Sequence, residues 1–249
     1  MKLLSNKVAV ITGSAAPLSI GLATARVFAE HGARIALVDI DDEIQARQDT
    51  LVGAHSAYVA DVSDHAQCEQ TTAKIIDAFG RIDVLVNSAG VVKGTPLLDI
   101  SQQEYDQILD VNLRGSFNMA QAVLPHMRAR GVGSIICMSS IAGQSGGGVF
   151  GSSHYAAAKS GIFGLSKALA RELAPEGIRV NAVAPGPIDN NFTKGRMTRE
   201  IKNEIAKKIP MGRLGEPIEV ANACLFLASN LSSYVTGIVL DVNGGLLIH

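Results

Sequence analysis

Net charge is the first thing this sequence lacks. Its 249 residues carry 22 Lys and Arg against 23 Asp and Glu, so there is no basic footprint for nucleic acid or an anionic membrane, and neither is expected as a partner. Cysteine is scarce: Cys68, Cys137 and Cys224 are widely spaced with no C-x-x-C pairing, which reads as three buried, inert thiols in a reducing compartment. The histidines are scattered without ligand spacing, so no catalytic metal is expected. Residues 1–7 lack the apolar core and small-residue cleavage site of a signal peptide. No apolar run approaches the length that spans a bilayer. These absences predict a soluble, cytoplasmic protein.

What is present is a core. Hydrophobic residues make up 47% of the chain and charged residues 18%, enough at this length to bury most of the unfolded surface without disulfides or metals. Short β-branched or apolar runs predict strands at 7–12, 34–39, 57–60, 82–87, 134–138, 179–184 and 238–242. Between them, helical patterns run over 21–31, from about 41, and over 64–79, 102–130, 154–173, 198–208 and 217–228. The strand runs lack clean polar/apolar alternation, so both sheet faces should be covered. No linker, low-complexity tract or repeat intervenes. The pattern predicts an α/β fold, a single doubly wound domain over 1–249 with a parallel, about seven-stranded sheet flanked by helices on both faces.

The first predicted strand ends in Thr12-Gly13, and a helix begins near Ile20-Gly21. A Gly-bearing turn there lets backbone N–H groups approach a pyrophosphate at the helix N-terminus, although G-x-G-x-x-G itself is absent and an ordinary strand–helix turn is the alternative. Asp39 stands at the predicted end of the second strand, 18 residues past Gly21, near the ~20-residue spacing of a ribose-binding carboxylate. A carboxylate there accepts hydrogen bonds from both ribose hydroxyls of NAD and repels the 2′-phosphate of NADP; the alternative is a solvated strand-end Asp. No Arg or Lys lies in 14–19 or directly after Asp39. NAD is the expected cofactor of a Rossmann-type domain.

Tyr155-Ala156-Ala157-Ala158-Lys159 opens a predicted helix, and its i, i+4 spacing puts phenol and ammonium on one face. A free tyrosine, with a pKa near ~10, is a poor base at neutral pH; a neighbouring ammonium favours the phenolate. Around this pair stand Thr12-Gly13…Ile20-Gly21, Asp61-Val62, Asn87-Ser88-Ala89-Gly90, Asn112, Ser139-Ser140, Pro185-Gly186, Arg213-Leu214-Gly215-Glu216-Pro217 and Asp241-Val242-Asn243-Gly244-Gly245. With these segments in this order, essentially the whole chain resembles the short-chain dehydrogenase/reductase family.

The resemblance implies a cofactor part over about 1–140 and a catalytic and substrate part over about 140–249. It also implies a tetrad of Asn112, Ser140, Tyr155 and Lys159. Tyr155 would exchange the substrate hydroxyl proton, and Ser140 would hold the substrate oxygen. Lys159 would bind the nicotinamide ribose and tune Tyr155, and Asn112 would anchor a water between Lys159 and solvent. Gly13, Ser19, Ile20 and Gly21 would serve the pyrophosphate and Asp39 the ribose. Asp61 and Val62 would flank adenine; Asn87, Ala89 and Gly90 would line the cleft; Pro185, Gly186 and Ile188 would meet the nicotinamide end. The family also implies a homotetramer or homodimer, joined partly through the helices of 102–130 and 154–173. Read without the family, Asn112 is a helix cap or kink and Ser139-Ser140 a strand end.

Several features depart from the family pattern. The family's loop reads T-G-x-x-x-G-x-G; here it is two residues longer, with Ser19 where the middle glycine belongs. That loop looks more like those of enoyl-acyl-carrier-protein reductases, which place Tyr and Lys further apart. The Ser140–Tyr155 gap is also two residues longer than usual, leaving Ser139 or Ser140 as the catalytic serine. Asn190 replaces a threonine often seen to hold the carboxamide, and Thr193 lies nearby. The expected substrate walls, 91–94, 141–154 and 187–210, carry Lys93, Gln144, Ser145, His154, Asn190, Asn191, Thr193, Lys194 and Arg196. Such groups lean toward a polyol or sugar, or the three cations toward an anion, or they are solvated loop residues. Adjacent helix residues point about 100° apart, so His154 is expected in a supporting or surface position. The expected activity is NAD-linked oxidation of a secondary alcohol or reduction of the ketone. The alternatives are a 3-oxoacyl-thioester reductase and a catalytically idle nucleotide-binding protein.

Overall fold

A computed structural model describes residues 2–147, 150–190, 192–193 and 195–248. The strands are β1 (Val8–Thr12), β2 (Arg34–Asp39), β3 (Ser56–Val59), β4 (Val84–Asn87), β5 (Gly133–Met138), β6 (Ile178–Pro185) and β7 (Val239–Val242). They form a seven-stranded sheet in the order β3-β2-β1-β4-β5-β6-β7, parallel at every pairing. β1, β4 and β5 are buried throughout, as expected of apolar runs covered on both faces. The helices are α1 (Ile20–Glu30), α2 (Ile44–Gln48), α3 (His65–Phe79), α4 (Gln102–Leu109), α5 (Gly115–Arg128), α6 (Ala142–Ser145), α7 (Ser153–Leu173), α8 (Arg199–Ala206) and α9 (Pro217–Ala228).

Two buried clusters sandwich the sheet. On one face Leu22 and Phe28 of α1 and Val220 and Leu227 of α9 pack against Ile11, Ile35 and Val183. On the other, Ile75 of α3, Met119 and Val123 of α5 and Ile162 of α7 pack against Val10, Leu85 and Ile135. The chain winds outward from β1 to β3 and then returns to β4, so the β1/β4 junction is the switch point. Crevices for ligands open there, at the carboxyl ends of the strands. Among the described residues no helix is long and apolar enough to cross a membrane.

Local signals account for the element ends. Ser19 caps α1 by accepting from the Leu22 N–H at 3.1 Å, and Asp64 caps α3 through the Gln67 N–H at 3.1 Å. Gly80 ends α3 in the left-handed region at φ 74. Two features differ from expectation. The stretch 102–130 is interrupted between α4 and α5 by a π-turn at Asp110–Arg114, where the Asn112 amide donates to the Ile108 carbonyl at 2.8 Å and the Val91 carbonyl at 2.9 Å. Wide turns of this kind recur at functional sites. The single turn α6 follows β5, where periodicity offered too few residues to mark it.

Gly13 closes β1 at φ +72, and a Cβ there would lie 2.7 Å from the Ala89 backbone. An Ala would meet both left-handed strain and a collision with backbone. Gly13→Ala should lower the unfolding free energy by about 2–4 kcal/mol, read as a shifted urea midpoint at unchanged slope; an unmoved midpoint would refute this account of the turn.

Candidate active site

One cleft of about 1590 Å³ runs along the carboxyl edge of the sheet. Pockets for drug-sized ligands span ~300–1,000 Å³, so it has room for a dinucleotide with a substrate beside it. At one end it is lined by Gly13, Ser19, Ile20, Asp39, Asp61 and Val62; at the other by Ser140, Tyr155, Lys159, Pro185, Gly186 and Ile188, with Ala89 and Gly90 between. Gly21, Asn87 and Asn112 do not line it. Gly21 packs on Gly13, whose carbonyl would be 2.3 Å from an added Cβ. The Asn87 amide donates to the Ser116 carbonyl at 3.1 Å.

The floor at the β1/β4 junction is tied by Thr12, whose hydroxyl oxygen accepts from the Ser88 and Ala89 N–H groups at 3.0 Å each. This places bare backbone at Gly13, Ala89 and Gly90 along the cleft. At the far end Asp39 Oδ2 accepts from the Ala15 N–H at 2.8 Å and Oδ1 from the Asp41 N–H at 3.2 Å. Asp61 Oδ1 accepts from the Ser63 N–H and hydroxyl at 2.8 and 2.7 Å, shaping the turn after β3. The Ser19 hydroxyl is engaged as the α1 cap. One cation that no local motif marked also arrives here: Arg47, from α2, donates through Nε to the Ala15 carbonyl at 2.7 Å.

The four tetrad positions converge from three places: the π-turn holding Asn112, the turn after β5 holding Ser140, and α7 holding Tyr155 and Lys159. Ser139 donates its hydroxyl to the Lys159 carbonyl at 2.6 Å, whereas Ser140 Oγ accepts from the Ala142 N–H at 3.1 Å and hydrogen-bonds the Tyr155 hydroxyl. The first turn of α7 carries Tyr155, whose ring packs with Ile108, Ala142 and Ala158. Lys159 follows one turn later; its Nζ lies 5.8 Å from the Tyr155 ring centroid and donates to the Met138 carbonyl at 2.9 Å. Asn112 Oδ1 is buried without a hydrogen-bond partner among the described residues. It and Lys159 Nζ both face Gly90, lying 2.8 and 3.6 Å from where a Cβ would stand.

Burial sets the protonation of this pair. Tyr155 is 6% exposed and Lys159 3%. Desolvation pushes the Tyr155 phenol up to about 12, against the Ser140 hydrogen bond that pulls it down, and draws the Lys159 ammonium down to about 8. Burial therefore disfavours charge on both groups, yet near pH 7 the phenol is neutral while the amine, with its midpoint at about 8, still carries its proton.

The substrate end is bound together by its own side chains. His154 is buried, not on the surface: Nε2 meets Glu104 Oε1 at 3.1 Å and Nδ1 meets Ser152 Oγ at 3.2 Å. Glu104 also pairs with Lys93 at 3.3 Å, joining α4, α7 and the segment after β4. Arg196 donates to the Thr193 and Val92 carbonyls at 3.0 and 3.3 Å, spanning the cleft mouth. Gln144 donates to Asp241 at 3.0 Å. Asn190 Oδ1 is taken by the Phe192 N–H at 3.0 Å, while the buried Thr193 hydroxyl has no partner among the described residues. Asn191 and Lys194 lie outside the described residues.

Comparisons with known proteins agree with this geometry. Residues 13–247 match the family model described as enoyl-(acyl carrier protein) reductase. An uncharacterized short-chain type dehydrogenase/reductase of Sinorhizobium fredii is 48% identical, over 99% of this chain and 100% of that protein. A 3-oxoacyl-(acyl-carrier-protein) reductase of Thermotoga maritima is 41% identical, over 98% of this chain and 99% of that one. A crystal structure assigned as a short-chain dehydrogenase/reductase from Burkholderia xenovorans superposes with a TM-score of 0.92 at 32% identity, covering 99% and 98% of the two chains. Fold, cleft and relatives converge: the chain belongs to the short-chain dehydrogenase/reductase family of oxidoreductases.

Proposed function

We propose that this oxidoreductase is an NAD-dependent dehydrogenase/reductase interconverting a secondary alcohol and its ketone, with Tyr155 as the proton-transfer group. The observation that carries the reading is the placement of Ser140, Tyr155 and the buried Lys159, its Nζ 5.8 Å from the Tyr155 ring centroid, in one continuous cleft with Asp39. The residues fit a dinucleotide: Gly13 and Gly90 leave backbone bare where side chains would intrude, and Asp39 stands at the opposite end as a hydroxyl acceptor. When bound, NAD supplies the ring that takes up the hydride of the alcohol.

The protein's own groups handle the proton. Ser140 donates to the substrate oxygen and holds it beside the phenol. In oxidation Tyr155 accepts the hydroxyl proton; in reduction it returns it. Lys159, held by the Met138 carbonyl, stabilises the phenolate and offers hydrogen bonds to a ribose. Asn112 Oδ1 is an unused acceptor beside Lys159, suited to hold a water through which the proton passes to solvent. We assign the catalytic role to Ser140 because Ser139 is committed to the Lys159 carbonyl.

For the substrate we favour a polyol or sugar, since the cleft around Tyr155 carries the hydroxyls of Thr193 and Ser145 and the polar ends of Asn190 and Arg196 among its apolar residues. A second reading, 3-oxoacyl-thioester reduction, is favoured by the relatives of that name at 41–42% identity. Asp39 weighs against it where the electron donor is NADPH. We further propose a cytoplasmic homotetramer or homodimer using the outer faces of α4, α5 and α7, where Tyr105 and Phe117 are exposed.

Three outcomes test this reading. With a panel of polyols, sugars, hydroxy acids and acyl thioesters, kcat/KM should favour NAD over NADP by tenfold or more, about 1.4 kcal/mol; a reversed preference would overturn the Asp39 argument. Tyr155→Phe should cut turnover by about 10²–10⁴-fold while NADH binding by fluorescence titration is retained; full activity would end the mechanism. The third outcome concerns pH. Between pH 8 and 10.5 the folded Lys159 has released a proton that the unfolded chain keeps, so its contribution to stability rises with pH in that window. The unfolding free energy of wild type minus that of Lys159→Met should climb between pH 8 and 10, where Tyr155 is present in both proteins and, when folded, still keeps its proton; a flat difference would contradict the buried-ammonium assignment.

A further inference from the structure

We infer that Arg47 is a positioning residue for the adenosine half of the cofactor, acting with Asp39 as a two-sided grip on Ala15. The inference rests on the dinucleotide reading of the cleft and is independent of the substrate.

The loop between β1 and α1 needs an external brace. It is two residues longer than the family's pattern and carries no glycine between Gly13 and Gly21. Pro17 has no N–H to give, and Leu18 is 51% exposed. Within the loop, the Ser14 hydroxyl donates back to the Ile11 carbonyl at 3.1 Å and the Ser19 N–H to the Ala16 carbonyl at 3.0 Å. The strongest ties come from outside, and both fall on Ala15. Its N–H is held by the Asp39 carboxylate at 2.8 Å and its carbonyl by the Arg47 guanidinium at 2.7 Å. An anion on the donor and a cation on the acceptor are the two charge-assisted choices for a peptide's polar atoms.

Arg47 is itself oriented. Glu43, one turn earlier, accepts from its Nη2 at 2.9 Å, and Ile44 between them is fully buried and anchors α2. Its side chain is 22% exposed, so the guanidinium is fixed from two sides. The same engagement argues against capture of a 2′-phosphate. Nε and Nη2 are already committed, and Asp39 presents a carboxylate to the adjoining space. The grip determines where the N–H groups of the lengthened loop lie and fixes the Asp39 carboxylate, whose other oxygen accepts from the Asp41 N–H, at the edge of the cleft. Ala15, Ala16 and Asp39 all line it.

The test uses the full-length protein and three nucleotide probes by calorimetry, NAD, ADP-ribose and nicotinamide mononucleotide, with NADP titrated beside them as a control. For Arg47→Ala, NAD and ADP-ribose should each bind about tenfold more weakly, while nicotinamide mononucleotide and the melting temperature are unmoved. Arg47→Lys, which keeps a cationic donor for the Ala15 carbonyl, should recover most of the loss. With any alcohol the enzyme turns over, KM for NAD should rise at unchanged kcat. Equal binding of all three probes by Arg47→Ala overturns the inference. So does a parallel loss of all three with a lowered melting temperature, which marks a structural role, and so does a loss confined to NADP, which marks a phosphate ligand. If wild type binds neither NAD nor NADP, the reading of the cleft fails and this inference falls with it; if wild type binds and Arg47→Ala is silent, only the inference fails.

Discussion

A lysine amine sealed under the carboxyl edge of the sheet is the group on which the rest of the site depends. Lys159 is 3% exposed and donates to the Met138 carbonyl. Burial there disfavours its charge, and the same burial disfavours ionisation of Tyr155. Removing charged groups from water is costly unless they are paired. A phenolate next to an ammonium relieves both costs at once, whereas near neutral pH the phenol keeps its proton beside an amine that is still charged. The surrounding structure holds the two side chains in place: the Ser139 hydroxyl on the Lys159 carbonyl, the Ser140 hydroxyl on the phenol and the π-turn that delivers Asn112 beside the amine.

The cleft has opposite character at its two ends. At one end Asp39 and Asp61 spend much of their acceptor capacity on the backbone of the turns they sit in. These carboxylates build the site before they bind anything. Toward the Tyr155 end, His154, Glu104 and Lys93 form a chain that locks α4 to the first turn of α7. The helix end that presents Tyr155 is thus pinned from behind. The tension between Asp39 and the acyl-carrier-protein reductase relatives is a chemical one: the carboxylate bears on which nucleotide is used, while relatedness at 41–42% bears on the carbonyl that is reduced.

Much of this was legible in the residues. Runs such as 34–39 and 217–228 coincide with β2 and α9, because burial on both sides of the sheet writes an unbroken apolar stretch and capping writes its ends. The Tyr155–Lys159 spacing needed only helical geometry. What stayed hidden depends on contacts distant in sequence. The π-turn follows from the bond between the Asn112 amide and the Val91 carbonyl. The distinction between Ser139 and Ser140 comes from which hydroxyl faces α7 and which faces the cleft. The burial of His154 comes from Glu104, 50 residues away in sequence. Arg47 belongs to a short polar helix whose composition carries no hint that its guanidinium folds back onto the loop after β1.

The central claim is that Tyr155 is a tunable acid held neutral by burial until positive charge enters the cleft. Ultraviolet titration of phenolate absorbance, taken as wild type minus Tyr155→Phe, measures this directly. Without nucleotide the difference should titrate near 12; with NAD bound it should fall by about one to three units. A midpoint unchanged by NAD would contradict the account.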